Sequence, residues 1–397
     1  MTGGAALPGL VHGMGTELVA PDWPPLSSAE ARTVLASYPA VDATATVTWT
    51  SPRPWSAAGL ARWPGGAVFV KRHHVRVRTA GQLAAEHRFI GWLRDRGIPA
   101  PAVLRTATGA TTTQRGDSVY EVHELAGGLD LYRDAVSWSP FASLGHARAA
   151  GGALARLHRA AAGFPGPARP PGVLLSGCDL VLAADPVAAL SRLLGQRPGL
   201  AGYLAARNWP DDLARHVLPA IRRAAPLLTG LPRQWGHGDW HPSNLTWTSA
   251  ASMADVAGVF DFGLANRTLA VHDLAIALER STVSWLDLAG SGRAEADLDS
   301  IDALLDGYQA VRPLSPAEAA AMAEVFPVVH VGYALAEVEY FHDVVHSPGN
   351  ASLAYDGYLL GHARWFDGPD GAEVLARLRR RARAVAAVPA SRHSCRP

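Results

Sequence analysis

Residues 237–244 read His-Gly-Asp-Trp-His-Pro-Ser-Asn, and seventeen residues beyond that asparagine comes Asp261-Phe262-Gly263. An aspartate and an asparagine five residues apart stand at the two ends of one tight loop. The second aspartate follows an apolar run, Val256 to Phe260, that reads as a short buried strand, and Gly263 lets the chain turn sharply away. Phosphoryl transfer asks for such a set: a carboxylate to orient the attacking hydroxyl, and two oxygen ligands to hold magnesium on nucleotide phosphates. Asp239, Asn244 and Asp261 supply those three parts. A lone aspartate in a proline-containing loop is usually a turn residue, so it is the order and separation that carry the reading.

His-x-Asp-x-x-x-x-Asn is the spacing of a kinase catalytic loop, and it makes a demand upstream. The nucleotide phosphates need a cation that is itself held in place, normally a strand lysine paired with a helix glutamate. Ala67-Val68-Phe69-Val70-Lys71-Arg72 is a β-rich run ending at a lysine. Ala80 to Arg96 has helical character, with an uneven apolar face and Glu86 within it. Lys71 and Glu86 are therefore expected to pair.

On these motifs the chain resembles the aminoglycoside phosphotransferase family of kinase-like enzymes, which phosphorylate hydroxyls of small molecules. The likeness extends to Gly151-Gly152-Ala153-Leu154-Ala155-Arg156-Leu157-His158, similar to the family's helix from the hinge into its C-terminal lobe, and to His272-Asp273-Leu274-Ala275, similar to the Asp-Leu-Ala that opens the helix after its metal loop. The resemblance implies an α+β, two-lobed, protein-kinase-like fold, with a small β-rich N-terminal lobe and a larger, mainly helical C-terminal one. It implies Asp239 as the base, Asn244 and Asp261 as Mg2+ ligands, Asp273 as a structural brace and His237 as a buttress of the loop. ATP or GTP is the implied co-substrate, its adenine meeting the hinge backbone at Glu124 and Leu125.

Two departures qualify the likeness. The segment Ser51-Pro52-Arg53-Pro54-Trp55-Ser56-Ala57-Ala58-Gly59 lacks a glycine-rich phosphate loop, and its prolines remove backbone donors. Phosphate contacts there fall to Ser51, Ser56 or Arg53. Only eight residues separate Gly263 from His272, and no Ala-Pro-Glu follows, so a protein substrate lacks its docking segment. About seventy residues, Gly163 to Gln234, precede the catalytic loop instead and, with the C-terminal helices, are expected to form a pocket for a small acceptor.

The 397 residues, 48% of them hydrophobic, suit two lobes around a cleft. The expected division is a lead-in at 1–39 without packing signal, a nucleotide-binding lobe at 40–125, a catalytic and acceptor lobe at 126–385 and a tail at 386–397. With 36 basic and 35 acidic residues there is no global field for nucleic acid or an anionic membrane. The basic run Arg377 to Arg383 reads as the solvated face of a last helix. Apolar stretches such as Val325 to Leu335 look too short to span a bilayer. Cys178 and Cys395 suggest no disulfide framework, and the N-terminus no secretion signal, so a reducing cytoplasm is the expected compartment. Oligomeric state is left open.

His342-Asp343-Val344-Val345-His346 sets two imidazoles at i and i+4, as zinc-protease helices do, but with Asp in place of the general-base Glu. The helix Val331 to Val345 is read instead as an acidic wall of the acceptor pocket, carrying Glu337, Glu339 and Asp343, or as a plain polar surface. An acidic wall would suit a cationic acceptor, an antibiotic or related aminated sugar first. A metabolic kinase for a sugar, amino sugar, amino alcohol or nucleoside is the second reading, and a catalytically silent nucleotide-binding protein the third.

Overall fold

The computed structural model describes residues 11–387 apart from Thr16 and Ala43. Cys395 and the expected tail beyond residue 387 lie outside them. A five-stranded antiparallel sheet forms the smaller lobe, in the order Thr46–Thr50, Ala57–Trp63, Gly66–His74, Ser118–His123, Thr113–Arg115. Alternation along these strands buries Ala61, Val68, Val70, Tyr120 and Val122 on one face. Lys71 lies opposite Glu121 in the register.

The expected lead-in at 1–39 is corrected. Ser27 caps a helix, Ser28–Leu35, by accepting from the Glu30 amide. Leu26, Ala31, Val34, Leu35 and Tyr38 then close the buried face of the sheet. A two-turn helix beside Pro24-Pro25 is too short to announce itself by periodicity. The helix Ala80–Arg94 carries a full capping box at Thr79 and Gln82, and its Phe89, Ile90 and Leu93 belong to the core of the larger lobe rather than to the sheet.

Helices build the larger lobe. The long helix Leu144–Ala161 crosses Leu298–Val311 at Gly151, where any Cβ would collide with the Leu304 carbonyl. Two small antiparallel ladders stand between the helical body and the sheet: Arg233–Gly236 with Asn266–Leu269, and Leu245–Trp247 with Val256–Val259. The loop containing Asp239 runs from the first ladder to the second, and the loop containing Asp261 runs back. Both loops are therefore fixed at both ends by the same pair of ladders, which is how distant sequence positions come to share one site.

Two surface readings change. Arg377, Arg379 and Arg381 are ion-paired with Asp302, Glu324 and Asp306, so that basic run is largely neutralised. The helical run Pro316–Val344 is continuous and, contrary to expectation, long enough to cross a membrane, but 83% of its most apolar window is buried inside the fold.

Candidate functional site

A cleft of about 380 Å³ lies between the lobes, lined by Ser51, Arg53, Lys71, Glu124, Asn244 and Asp261 among others. Ser243 and Asn244 bring the loop 237–244 to it, and Phe260, Asp261 and Phe262 the loop 260–265. Gly238 has φ 75°, and a Cβ there would strike the Leu264 carbonyl, so the residue between His237 and Asp239 has to be glycine. The His237 ring accepts at Nδ1 from the Asp239 amide (3.2 Å) and donates from Nε2 to the Phe260 carbonyl (3.0 Å), stitching one loop to the other. Behind it the buried Asp273 carboxylate accepts from the amides of His237 (2.8 Å) and Gly238 (2.7 Å) and from His158 Nε2 (2.9 Å).

Asn244 Nδ2 donates to the carbonyl (2.9 Å) and the carboxylate (3.1 Å) of Asp239, which leaves its Oδ1 available as an acceptor or ligand. Asp261, at φ 58° in the left-handed region that Asp tolerates better than most side chains, meets Lys71 Nζ at 2.8 Å. Burial acts to raise the Asp261 pKa, and Lys71 outweighs it and lowers it. A carboxylate and an amide oxygen at one end of the cleft are the hard donors magnesium prefers, so these residues fit that ion.

The expected Lys71–Glu86 pair is not formed. Asp261 takes the lysine, and Glu86 faces Arg169 at 3.6 Å. Arg169 in turn donates to the carbonyls of Gly263 (3.0 Å) and Ala265 (2.9 Å). Arg78 shares the Gly263 carbonyl at 3.2 Å. Glu86 therefore acts through Arg169 on the backbone after Asp261. At the hinge, Glu124 donates its amide to Ala102 (2.9 Å), so what it offers an adenine is its carbonyl. Leu125 beside it is 42% exposed.

Asp239 has a partner that sequence reading missed, the guanidinium of Arg280, which also lies over the rings of Trp138 and Tyr333 at 4.8 Å. Burial would raise the Asp239 pKa, but Arg280 and His241 hold it well below the usual carboxylate range. The signal was present: Arg280 follows Asp273 by seven residues on the helix Ala270–Thr282, two turns along the same face.

The expected acidic wall comes apart. Glu339 pairs with Arg197 (2.6 Å) and Asp343 with Arg76. Glu337 and Glu339, two residues apart on the helix Val331–Glu339, point to different sides, and Asp343 lies within a π-helical turn, Tyr340–Val344, that shifts the register. His346 folds its Nδ1 onto the His342 carbonyl, so those two rings do not converge on a metal. Trp285 and Trp365 fill core, the former stacked on His362. Glu337 alone lies on the Asp239 side, fully buried, with no hydrogen-bond partner on either carboxyl oxygen.

Burial pushes the Glu337 pKa up to about 8, against the pull of Arg280, and Glu279 up to about 7. The folded state thus holds the Glu337 proton more tightly than the unfolded chain, whose value is 4.5. Its contribution is complete below the unfolded value and is lost as pH rises through about 8. Glu337→Gln is expected to remove that decline, leaving the variant more stable than the parent at pH 9 by a few kcal/mol. Thermal unfolding at pH 5 and pH 9 checks it, and equal losses in both proteins would show that the charge is compensated elsewhere.

A nucleotide-sized cleft between a five-stranded lobe and a helical lobe, with Asn244, Asp261 and Lys71 in its lining and Asp239 hydrogen-bonded to Asn244, defines the class of kinase-like phosphotransferases. The chain belongs to the phosphotransferase enzyme family, whose model its residues 55–314 match. The homoserine kinase of Caulobacter vibrioides is 28% identical over 247 residues, 62% of this chain and 65% of the relative, so just under two thirds of that protein's length is matched. The homoserine kinase of Gluconacetobacter diazotrophicus is 31% identical over 308 residues, 74% of this chain and 80% of the relative. Among solved structures, a microcompartment-associated aminopropanol kinase superposes with a TM-score of 0.55 over 87% of this chain and 98% of its own, at 17% identity.

Proposed function

We propose that this protein transfers the γ-phosphoryl group of ATP or GTP to a hydroxyl of a small amino alcohol, with a hydroxy amino acid of the homoserine kind ahead of an aminoglycoside. The observation that carries the acceptor choice is the Glu337 carboxyl, buried on the Asp239 side with neither oxygen partnered. An unpaired buried carboxyl is costly, and an ammonium group on the acceptor would supply both the charge and the donors. Tyr333 and Trp138 stand over Arg280 there, which favours a compact acceptor over a multi-ring antibiotic. Two relatives named homoserine kinase support the same choice.

In this reading Lys71 meets the α and β phosphates. Asn244 and Asp261 would hold the magnesium ion, which when bound offsets charge on the β and γ phosphates. Asp239 accepts a hydrogen bond from the acceptor hydroxyl. The hydroxyl oxygen forms its bond to the γ phosphorus as the bond from that phosphorus to the bridging β–γ oxygen breaks. The electron pair leaves with the nucleoside diphosphate, and the hydroxyl proton passes to Asp239. Because Arg280 holds Asp239 ionised, it orients the hydroxyl first and takes the proton late. The protein is accordingly expected to work without a second protein, a nucleic acid or a membrane.

The test is nucleotide consumption with magnesium against homoserine, amino alcohols, sugars, nucleosides and aminoglycosides. Turnover with an amino alcohol is expected, and Asp239→Ala should lower it by about 10²–10⁴-fold. Turnover only with an aminoglycoside would overturn the acceptor choice. Tight nucleotide binding without turnover on any acceptor would favour a silent binding protein.

A further inference from the structure

The nucleotide cleft has a second cluster of ligating side chains that the phosphotransfer reading does not use. Glu121 is buried on the strand Ser118–His123, and three imidazoles converge on its carboxylate. His87 Nε2, from the helix Ala80–Arg94, lies 2.7 Å from Oε2, and His123 Nε2 lies 3.0 Å from the same oxygen. His73 Nε2, from the neighbouring strand, lies 3.0 Å from Oε1. The arrangement follows from strand geometry. Glu121 and His123 are two residues apart, as are Lys71 and His73, so each pair shares a face of its strand, and His87 approaches from the helix packed over it.

We propose that His87, Glu121 and His123 form a binding site for a divalent transition metal of the zinc type, separate from the magnesium ligands Asn244 and Asp261. One ligand atom from each residue lies within 4.8 Å of the others. Zinc bonds of about 2.0–2.1 Å set neighbouring ligand atoms about 3.3 Å apart in a tetrahedron, so each imidazole nitrogen, now 2.7 or 3.0 Å from the Glu121 oxygen, has to open from it by about half an ångström, and the two nitrogens, within 4.8 Å of one another, have to settle at the same spacing. Two imidazoles and a carboxylate suit zinc, cobalt or nickel and are a poor set for magnesium, which prefers oxygen. His73 then plays an outer role, holding the far oxygen of Glu121 by a hydrogen bond, as ligating carboxylates are commonly held.

The surroundings agree with that assignment. The carboxylates of Glu86, Glu121 and Asp261 stand against the cations Lys71, Arg78 and Arg169, so the pocket is not positive overall. Glu121 and His123 also line the nucleotide cleft. The fourth position of a tetrahedral ion is assigned to that side, where a water can enter, while His87 closes the other. The plain alternative is that the histidines serve only to neutralise and hydrogen-bond a buried glutamate.

The experiment uses the full chain, freed of any affinity tag and stripped with a chelator, titrated with Co2+ and with Zn2+. One equivalent of Co2+ is expected to bind with the strong visible bands of a four-coordinate site, and in the absence of nucleotide Zn2+ should raise the unfolding temperature by more than Mg2+ at the same concentration. His123→Asn, at the cleft edge, should weaken binding by at least about 10–100-fold, and His346→Asn should not. Should His123→Asn fail to fold, X-ray absorption on the zinc-loaded parent decides the matter without a variant, since two imidazole ligands are expected. Absence of stoichiometric binding, unchanged affinity in folded His123→Asn, or a first shell of oxygen alone would overturn the proposal. None of these readouts depends on turnover, so failure of the site and failure of the kinase reading are distinguishable.

Discussion

Asp261→Ala is expected to reduce phosphotransfer beyond the about 10²–10⁴-fold that a positioned base is worth, and so beyond the effect of Asp239→Ala. Two losses combine at this residue. In the proposed function its carboxylate would be the charged member of the magnesium pair, and it holds the Lys71 ammonium at 2.8 Å. Burial acts to lower the Lys71 pKa, and Asp261 followed by Glu121 carries it above the usual lysine value, so removing the aspartate leaves a buried cation with weaker compensation. Alanine also tolerates the left-handed backbone at φ 58° less well, at about 1–2 kcal/mol. Asp261→Asn separates these effects, because asparagine accepts that backbone and still offers an oxygen, but loses the charge. Both variants should bind magnesium nucleotide weakly while unfolding cooperatively. Single-turnover rates at saturating magnesium check this, and an alanine variant within about tenfold of the parent would remove Asp261 from the metal role.

The chain displays this chemistry at residues whose type and order are both constrained, and hides it where only proximity matters. Asp239, Asn244 and Asp261 carry fixed spacing, and the structure brings Asn244 and Asp261 to the end of the cleft that Lys71 reaches, with Asp239 hydrogen-bonded to Asn244 beside it. The family membership and the two-lobed fold follow from the same residues. Glu86 shows the limit of such reasoning: its place on the helix was legible, but its partner was not, because Arg169 sits in a proline-rich joint with no periodicity to mark it. Arg280 was legible in principle, two helical turns from Asp273, but a helical arginine reads as surface until the face it shares is known. Glu121 lies in the strand that leads to the hinge, and the three histidines that surround it come from three separate elements, so no local pattern marks the cluster. The acidic wall failed for a reason of geometry: Glu337 and Glu339, two residues apart, face opposite sides of any α-helix, and the π-helical turn that carries Asp343 cannot be foreseen from a pattern assumed to repeat every 3.6 residues.

Asp273→Ala should do more damage to the fold than any other change at the site, although Asp273 is placed as a brace and not in the chemistry. Three donors end on its carboxylate, the amides of His237 and Gly238 and the His158 ring, and the group is wholly buried. His158 is fixed on its other side by the Tyr308 hydroxyl at 2.7 Å, so it cannot swing away to another partner. Each orphaned buried donor costs about 1–3 kcal/mol. Three together approach the 5–15 kcal/mol that is the whole stability of an ordinary domain. The expected result is a protein that unfolds at or near room temperature, or that is recovered only in aggregates. Asp273→Asn keeps one oxygen and turns an amide donor toward the other donors, so a smaller but still large fall in unfolding temperature is expected. Burial acts to raise the Asp273 pKa, and His158, His237 and the Gly238 amide together lower it. Its stabilising charge is therefore present above the ordinary value of 3.8 and is lost as pH falls through the depressed folded value. The parent should accordingly lose stability in strong acid more steeply than the asparagine variant. The decisive comparison pairs Asp273→Asn with His158→Ala, singly and together. A brace predicts strongly non-additive losses, because the second change removes a donor that the first has already orphaned, whereas additive losses would mean that the two residues stabilise the fold independently.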